Sequence, residues 1–361
     1  MIAMPKTAIC TVITHNRIAY ARALFDSVNQ HNSGFSCYAL VIDAPAKTAE
    51  LRETGFEIIS LHSLQLDRAT DLLFQYTPFE LCCALKPAVL RFLFEKLGHE
   101  QAIYLDSDIL VLSALGGLLE QFDSFDILVT PHLDAPYPAD GKKPDDAHVM
   151  LSGVFNLGFI GVKNSEQGRA FLQWWMGKLE DGCVQDHFNG IFVDQKYVDM
   201  AIGMFHGLGI VRDPGCNVAY WNLHSREVSQ DGNQWRSNGV PLLFYHFSDF
   251  DPSRPGVLSG HQDRFQLEAL PALQALFLHY CEQLERHGLK QTRDLPCGYA
   301  RYSNGRRISP ATRRAYLLAP PEIRPEQPFE QNSHTFAFKF AVLKQWFWLQ
   351  FNRLAHVLLK H

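Results

Sequence analysis

The run Ile103-Tyr104-Leu105-Asp106-Ser107-Asp108-Ile109-Leu110-Val111 constrains this chain more than any other stretch. Apolar residues enter, two carboxylates stand one residue apart, and apolar residues leave. Ile103 and Leu105 read as a buried strand. Such a strand cannot carry Asp106 and Asp108 unless they emerge at its end or are compensated. Two carboxylates flanking Ser107 at a strand end suit a divalent cation with hard oxygen ligands. A cation there would neutralise a diphosphate and stabilise the charge that develops on it as it leaves. The competing reading is a turn with a helix cap, for which Asp and Ser are the usual residues. Strand-and-helix alternation before the pair and an apolar strand after it favour the metal.

The alternation begins at the N-terminus. Residues 7–13 read as a buried strand, Thr14-His15-Asn16 as a loop, 18–30 as a helix, 38–43 as a second strand ending on Asp43, and 56–61 as a third. Strand, helix, strand is the signature of an α/β fold with a mostly parallel, doubly wound sheet. Such sheets bind ligands at the carboxyl ends of their strands, which puts Thr14, Asn16, Asp43, Asp106 and Asp108 on one rim. No Gly-x-Gly-x-x-Gly follows the first strand and no Gly-x-x-x-x-Gly-Lys-Ser/Thr occurs, so a dinucleotide-binding domain and a P-loop enzyme are both poorly supported.

Residues 79–97 read as helical with an interruption at Lys86-Pro87. Pro87 suits the first position of a new helix. Lys86 then sits just before that helix's N-terminus, where anions are favoured; a solvated lysine is the alternative. A strand over 125–130 leads into a long polar loop, 131–150, whose Pro, Gly and charge content suggests a lid that orders over bound ligand. The stretch 152–162 reads as a strand with glycines at intervals, a mark of bulges or close approach to a ligand. Asn156 in that apolar setting needs a partner, and a sugar hydroxyl is one candidate. Helices are expected over 166–179 and over 194–205, the latter beginning at Asp194-Gln195. The apolar strand 241–247 carries His246 near its end, and 262–286 is helical in pattern.

Charge is unevenly spread. Residues 290–361 hold 12 basic and 4 acidic side chains, whereas the whole chain carries −5. A basic end on an acidic body points to a partner that is anionic at one face only. The eight cysteines show no Cys-x-x-Cys spacing, so neither a zinc site nor a disulfide framework is indicated and a reducing cytoplasm fits. The N-terminus has no basic-then-apolar export pattern. In 334–361 four basic residues interrupt the aromatic-rich stretch too often for a spanning helix.

Taken in order, Lys86-Pro87, Leu-Asp106-Ser-Asp108-Ile, Phe-Asn156-Leu-Gly158-Phe, Asp194-Gln195 and Tyr-His246-Phe resemble the nucleotide-sugar glycosyltransferases of the GT-A fold. The resemblance is to family 8, the glycogenin and bacterial lipopolysaccharide galactosyltransferase type, and covers roughly residues 7–250. It implies that Asp106 and Asp108 bind Mn²⁺ or Mg²⁺ on the donor diphosphate, with His246 as third protein ligand. It places Asn156, Gly158 and Asp194 by the donor sugar and Gln195 near the anomeric carbon. Thr14, Asn16, Tyr20, Asp43 and Ser107 would surround the nucleotide, a UDP-sugar being the foremost donor. The family commonly follows the metal histidine with Gly-x-x-Lys-Pro-Trp; here Phe-Ser-Asp-Phe-Asp-Pro follows His246, and Lys86 is the candidate substitute for that lysine. The stretch 299–316, Tyr-Ala-Arg-Tyr-Ser-Asn-Gly-Arg-Arg-Ile-Ser-Pro-Ala-Thr-Arg-Arg-Ala-Tyr, is similar to a terminal motif of bacterial cell-surface polysaccharide glycosyltransferases.

The expected organisation is therefore a GT-A catalytic domain over 1–257, a helical and basic region over 258–333, and an aromatic, basic, amphipathic tail over 334–361. The expected activity is transfer of a sugar, with retention, to a glycan or lipid-linked acceptor of a bacterial surface polysaccharide or lipopolysaccharide. The partners would be donor, acceptor and, through 290–361, an anionic membrane surface on the cytoplasmic side. Nucleic acid is not expected, and an oligomer is compatible. The tail's other reading is packing on protein. Two rival functions stand beside the transferase. One is a haloacid-dehalogenase-type phosphohydrolase with Asp106 as nucleophile and Asp108 as general acid. That pattern wants Thr or Val where Leu110 stands, and a later acidic pair after a strand, whereas Asp145-Asp146 lies in the loop. The other is a non-catalytic sugar-binding relative, against which the intact carboxylate pair argues.

Overall fold

A computed structural model of the chain describes residues 6–32, 34–43 and 55–358. The first strand, β1 (Thr7–Ile13), leads through a 3-10 turn, His15–Arg17, into α1 (Ile18–His31), β2 (Ser36–Val41) and β3 (Glu57–Ser60). Three helices follow, α2 (Ala69–Gln75), α3 (Pro78–Ala84) and α4 (Lys86–Glu95), then β4 (Gln101–Leu105), β5 (Ile109–Val111), a short α5 (Gly116–Leu119) and β6 (Ile127–Pro131). Next come α6 (Asp146–Ser152), β7 (Phe155–Lys163), α7 (Glu166–Gly182), the small hairpin β8 (Gln185–Asp186) and β9 (Ile191–Phe192), α8 (Gln195–Val198) and β10 (Leu208–Ile210). The remainder holds β11 (Val228–Asp231), β12 (Gln234–Ser237), β13 (Val240–Pro241), β14 (Phe244–His246), and helices α9 (Pro271–Arg286), α10 (Leu289–Thr292), α11 (Pro310–Leu318) and α12 (Phe336–Leu358).

Seven strands form the central sheet in the order β10-β6-β7-β4-β1-β2-β3. Pairings among β4, β1, β2 and β3 and between β10 and β6 are parallel, and β7 runs antiparallel to both its neighbours. The fold is thus α/β with a mostly parallel sheet and a helical C-terminal region. Both faces of the sheet are covered, which is why its strands are continuous apolar runs. Along β1, Ala8, Cys10 and Val12 enter one core cluster and Ile9 and Ile13 the other. Along β7 the alternation slips: Leu157 and Ile160 share a face although three residues apart, opposite a register shift between Val129 and Thr130. A bulge of this kind re-aims side chains at a strand end.

This topology positions the rim. The carboxyl ends of β1 and β4 lie side by side, so Thr14 and Asp106 share an edge. Because β7 is antiparallel, it brings its first residues to that edge: Asn156 stands opposite Thr130 and Phe159 opposite Leu105. β14 pairs antiparallel with β5, setting His246 opposite Ile109.

Several boundaries differ from the sequence reading. The helix over 79–97 divides at Leu85, and α4 includes Lys86 as its first residue, with Pro87 in the first turn. The loop 131–150 ends in α6, capped by Asp145, whose carboxylate accepts from the His148 amide. Asp145 and Asp146 thus lie at an exposed helix start and not after a strand, where the later acidic pair of a phosphohydrolase would stand. The rest of this loop is strapped down: Tyr137 donates to Trp221 O at 2.7 Å, Arg226 pairs with Asp134 at 2.7 Å, and Arg264 pairs with Asp140. These contacts give it fixed anchors rather than the free edge of a lid. The helix expected over 194–205 is only one turn, α8, followed by a 3-10 turn over Ala201–Gly203. The helix expected over 262–286 begins at Pro271, its natural first position.

The C-terminal region is integrated with the rest. Leu273, Leu276, Phe277 and Tyr280 of α9 share a core with Leu110, Tyr245 and Phe247, and the Phe247 and Tyr280 rings stack at 3.8 Å. Arg313 of α11 is buried and donates to the carbonyls of Leu73, Phe74, Tyr76 and Tyr299. α12 packs Phe338, Ala341 and Val342 on a cluster with Phe74, Tyr302 and Tyr316. Lys360, and the side chains of Asn352, Arg353 and His356 in the amphipathic tail, lie outside the described residues.

Arg313→Met strands four carbonyls, two of them at the end of α2. Loss of charge-assisted hydrogen bonds of this kind should cost about 3 kcal/mol. Denaturant unfolding should show this, whereas Arg169→Ala at the surface should change stability by less than about 0.5 kcal/mol.

Candidate metal centre and donor cleft

Asp106 and Asp108 emerge where β4 ends and before β5 begins, as a strand-end pair must if its charges are to reach water. The return strand β14 supplies the third group. His246 Nε2 lies 3.2 Å from Asp108 Oδ1 and 3.9 Å from Asp106 Oδ2. One ligand atom from each of the three falls within 4.8 Å of the others. The donor set is two carboxylates and one imidazole, hard oxygen with one nitrogen, as suits Mn²⁺ or Mg²⁺. The imidazole is oriented from behind: His246 Nδ1 faces Asn217 Oδ1 at 3.3 Å, leaving Nε2 to the carboxylates. Fixing the far nitrogen in this way is how ligating histidines are held. Burial pushes the Asp108 carboxyl up, but His246 and Arg17 outweigh it and bring it down to about 2, so Asp108 is ionised across the physiological range.

Space for the imidazole comes from Gly158. A Cβ there would lie 2.3 Å from His246 Cε1 and 2.8 Å from Asn156 Oδ1. Any side chain at 158 would displace the ring, so the glycine in Phe-Asn-Leu-Gly-Phe is a requirement of close approach.

Lys86 lies beneath the carboxylates. Its ammonium is buried, donates to Leu157 O at 2.9 Å, pairs with Asp194 at 3.1 Å and reaches Asp106 Oδ1 at 3.5 Å. Burial disfavours this charge, yet Asp106 and Asp194 more than offset it and hold the Lys86 pKa above that of an ordinary lysine. Tyr104 donates to Asp106 Oδ1 at 2.7 Å, fixing the carboxylate from the other side. Asp194 follows Val193, a β-branched residue at φ +39°. Backbone held in that region costs of order 1–3 kcal/mol; the Val193 amide bond to Val184 O and the Trp175 indole bond to Asp194 O hold it there.

Lys86, Asp106, Ser107, Asp108 and Thr14 line one cleft together with Arg17, Phe79, Cys82 and Cys83. Other residues singled out in the sequence take different places. Asn156 and Gln195 are buried and already engaged. Asn156 Oδ1 accepts from the Gly158 amide and from Asn217 Nδ2, and Gln195 Nε2 donates to Ser152 O at 2.7 Å. They brace β7 rather than present free groups. Asp43 accepts from the His15 amide at 2.7 Å and ties down the loop after β1. Tyr20 is buried under the Arg17 guanidinium, which lies 4.4 Å from its ring centre. Asn16 faces a second cavity, lined also by Arg293, Arg301 and Arg307.

Arg17, Asn217, His132 and Tyr104 were not anticipated. Asn217 bonds His246, Asn156 and Thr130 at once, and it adopts φ +53°. Its signal was visible: like Asn156, it is an amide inside an apolar run, Cys216-Asn217-Val218-Ala219.

No protein-family model matches the chain. Two proteins of Bacillus subtilis (strain 168), both named only as uncharacterized, are similar in sequence. YfnF is 27% identical over 248 residues, 68% of this chain and 82% of that protein. YfnD is 26% identical over 246 residues, 66% of this chain and 76% of that protein. Among solved structures, the glycosyltransferase GlyE of Streptococcus pneumoniae TIGR4 aligns with TM-score 0.45 at 15% identity, over 83% of this chain and 67% of that one. The galactosyltransferase LgtC, solved with donor and acceptor sugar analogues, aligns with TM-score 0.46 at 13% identity, over 76% of this chain and 95% of that one.

Two substitutions behind the centre test its construction. Asn217→Leu should weaken Mn²⁺ binding about tenfold, the loss typical when the group orienting a ligating histidine is removed. Gly158→Ala should weaken it at least as much, because the ring itself must move. Mn²⁺ titration followed by electron paramagnetic resonance measures both, with circular dichroism to verify the fold.

Proposed function

We propose that the protein is a divalent-metal-dependent glycosyltransferase that moves a sugar from a nucleotide sugar, a UDP-sugar first, to a glycan or lipid-linked acceptor. The single observation that carries this reading is the Asp106–Asp108–His246 set at the strand ends, opening on a cleft with Arg17, Lys86 and a half-exposed Phe79. The ordered motifs that resemble family 8 of the GT-A transferases support a retaining hexosyl transfer and a bacterial surface polysaccharide or lipopolysaccharide as product.

Asp106, Asp108 and His246 would hold Mn²⁺ or Mg²⁺, which when bound supplies a Lewis acid for the donor diphosphate. The remaining work falls to the chain. Arg17 adds positive charge at the cleft where phosphates would lie, and Phe79 offers an exposed ring to a nucleobase. Lys86 holds Asp106 in place while its own charge faces the same cleft, favouring a departing diphosphate. Ser107, between the carboxylates, presents a hydroxyl and an amide to the donor. Asn156, Gln195 and Asp194 hold the start of β7 and the loop before α8 rigid beside the sugar, which limits misplacement of the reacting carbon.

The acceptor side involves the tail. No helix among the described residues is long and apolar enough to cross a membrane. The outward side of α12 nevertheless carries Phe336, Phe340, Leu343, Trp346, Phe347 and Phe351, all exposed, with Lys339 and Lys344 among them and no acidic residue in the helix. Apolar rings with interspersed lysines suit the surface of an anionic leaflet. This supports the reading of a cytoplasmic enzyme held peripherally at the inner membrane, while the opposite side of the same helix packs on protein.

Asp108→Asn should abolish Mn²⁺-dependent nucleotide binding and transfer with circular dichroism unchanged; turnover near the native rate would end the metal reading. Phe340→Glu/Phe347→Glu should abolish sedimentation with phosphatidylglycerol vesicles and leave transfer to a water-soluble acceptor intact. Sedimentation equal to that of the native chain would leave α12 without a membrane role.

A further inference from the structure

The basic segment after α10 forms a second cavity of ≈ 400 Å³ beside the donor cleft, sharing Thr14 and Pro78 with it. Its walls include Asn16 and three exposed arginines, Arg293, Arg301 and Arg307. Two of these are set directly against each other. Arg301 and Arg307 are partners in an isolated antiparallel bridge, closed by a tight turn in which Tyr302 N donates to Arg306 O at 2.9 Å and Gly305 takes φ +81°. Like charges directly opposite across strands repel, and a chain has no reason of stability to build this pair.

Among the described residues little neutralises it; the half-buried Asp43 carboxylate stands behind Cys297 of the wall. Arg301 donates to Gly305 O at 2.8 Å, a neutral acceptor. Among the described residues that line the wall, the acidic one, Asp294, is almost fully exposed and lies 3.9 Å from Arg293 Nε. The cavity therefore carries a surplus of positive charge, presented by guanidinium forks that match phosphate oxygens in pairs. Its backing is rigid: Tyr302 and Ile308, flanking the bridge, are buried in the cluster that receives Phe338 of α12, and Arg313 bolts the segment to α2. The cavity thus lies between the donor cleft and the root of α12.

We propose that the Arg293–Arg301–Arg307 cavity is a binding site for a phosphate or diphosphate group on a molecule that enters beside the donor. Naming that molecule the acceptor rests on the transferase reading; the phosphate site itself does not. The same chemistry is offered by a lipid-borne phosphate and by a soluble phosphate ester.

The test uses the full chain, inorganic pyrophosphate as probe, and EDTA throughout, so that neither metal nor nucleotide is involved. Isothermal titration should detect pyrophosphate binding by the native chain and at least tenfold weaker binding by Arg301→Gln/Arg307→Gln, with the surface variant Arg169→Gln within twofold of native. No binding by the native chain overturns the proposal, as does equal binding by the double variant or an equal loss in Arg169→Gln. Sedimentation with phosphatidylcholine vesicles containing dihexadecyl phosphate then separates the sources. Loss in the double variant assigns the site to a lipid phosphate; unchanged sedimentation with lost pyrophosphate binding assigns it to a soluble ester, and both outcomes sustain it. Because Mn²⁺-dependent nucleotide binding is scored separately on Asp108→Asn, either reading can fail alone.

Discussion

The buried ammonium of Lys86 is the interaction on which the rim depends. An unpaired charge at that depth would cost several kcal/mol, about 3–5 when one partner of a buried pair is removed. It is tolerated because four separate pieces of chain converge on it. The start of α4 carries it, β7 supplies the Leu157 carbonyl, the end of β4 supplies Asp106, and the strained turn after β9 supplies Asp194. Each contact that stabilises the lysine also fixes the element making it. The protein thereby orients Asp106 through its own cation and through Tyr104, so the carboxylate is preorganised before any ligand arrives.

A hydrogen-bonded side-chain network does the same for the other side of the site. His132, Asn156, Asn217 and His246 form a connected set of polar contacts among apolar walls. Buried polar groups of this kind are worth keeping only when all are satisfied, and here the amides bond one another as well as the backbone of Gly158. Asn156 and Gln195 look like ligand-binding residues in the sequence for the same reason that they serve as braces: a polar side chain in an apolar run must find a partner, and pattern alone does not say whether that partner is substrate or protein.

The parts of the fold set by local rules were legible. β1, α1 and α7 follow from unbroken period, helped at α7 by the Ser165 cap, and the strand-end position of Asp106 and Asp108 follows from the cost of burying them. His246 was identifiable only through its place in an ordered set of motifs, since nothing local distinguishes it among 16 histidines. What escaped the sequence was set by long-range pairing. The antiparallel sense of β7 decides that Asn156 and Gly158 face the rim. The strapping of 131–145 depends on partners more than eighty residues away in the chain. The isolated bridge between Arg301 and Arg307 reverses the sense of the basic segment: a charge excess spread along the sequence becomes a concave wall only once the turn at Gly305 folds it back.

The nesting of His246 over Gly158 has a consequence for the order in which the molecule assembles. The two carboxylates belong to a strand-to-strand turn that can form as soon as β4 finds β1, but the imidazole arrives on β14, after most of the sheet's helices have been made. It can seat only against a β7 already in register, because one residue of slip would put a side chain where Gly158 leaves a gap. The candidate three-group set therefore depends on the last strand docking onto a finished platform. Without that docking the acidic pair would stand without its imidazole, so the full donor set belongs to the completed molecule.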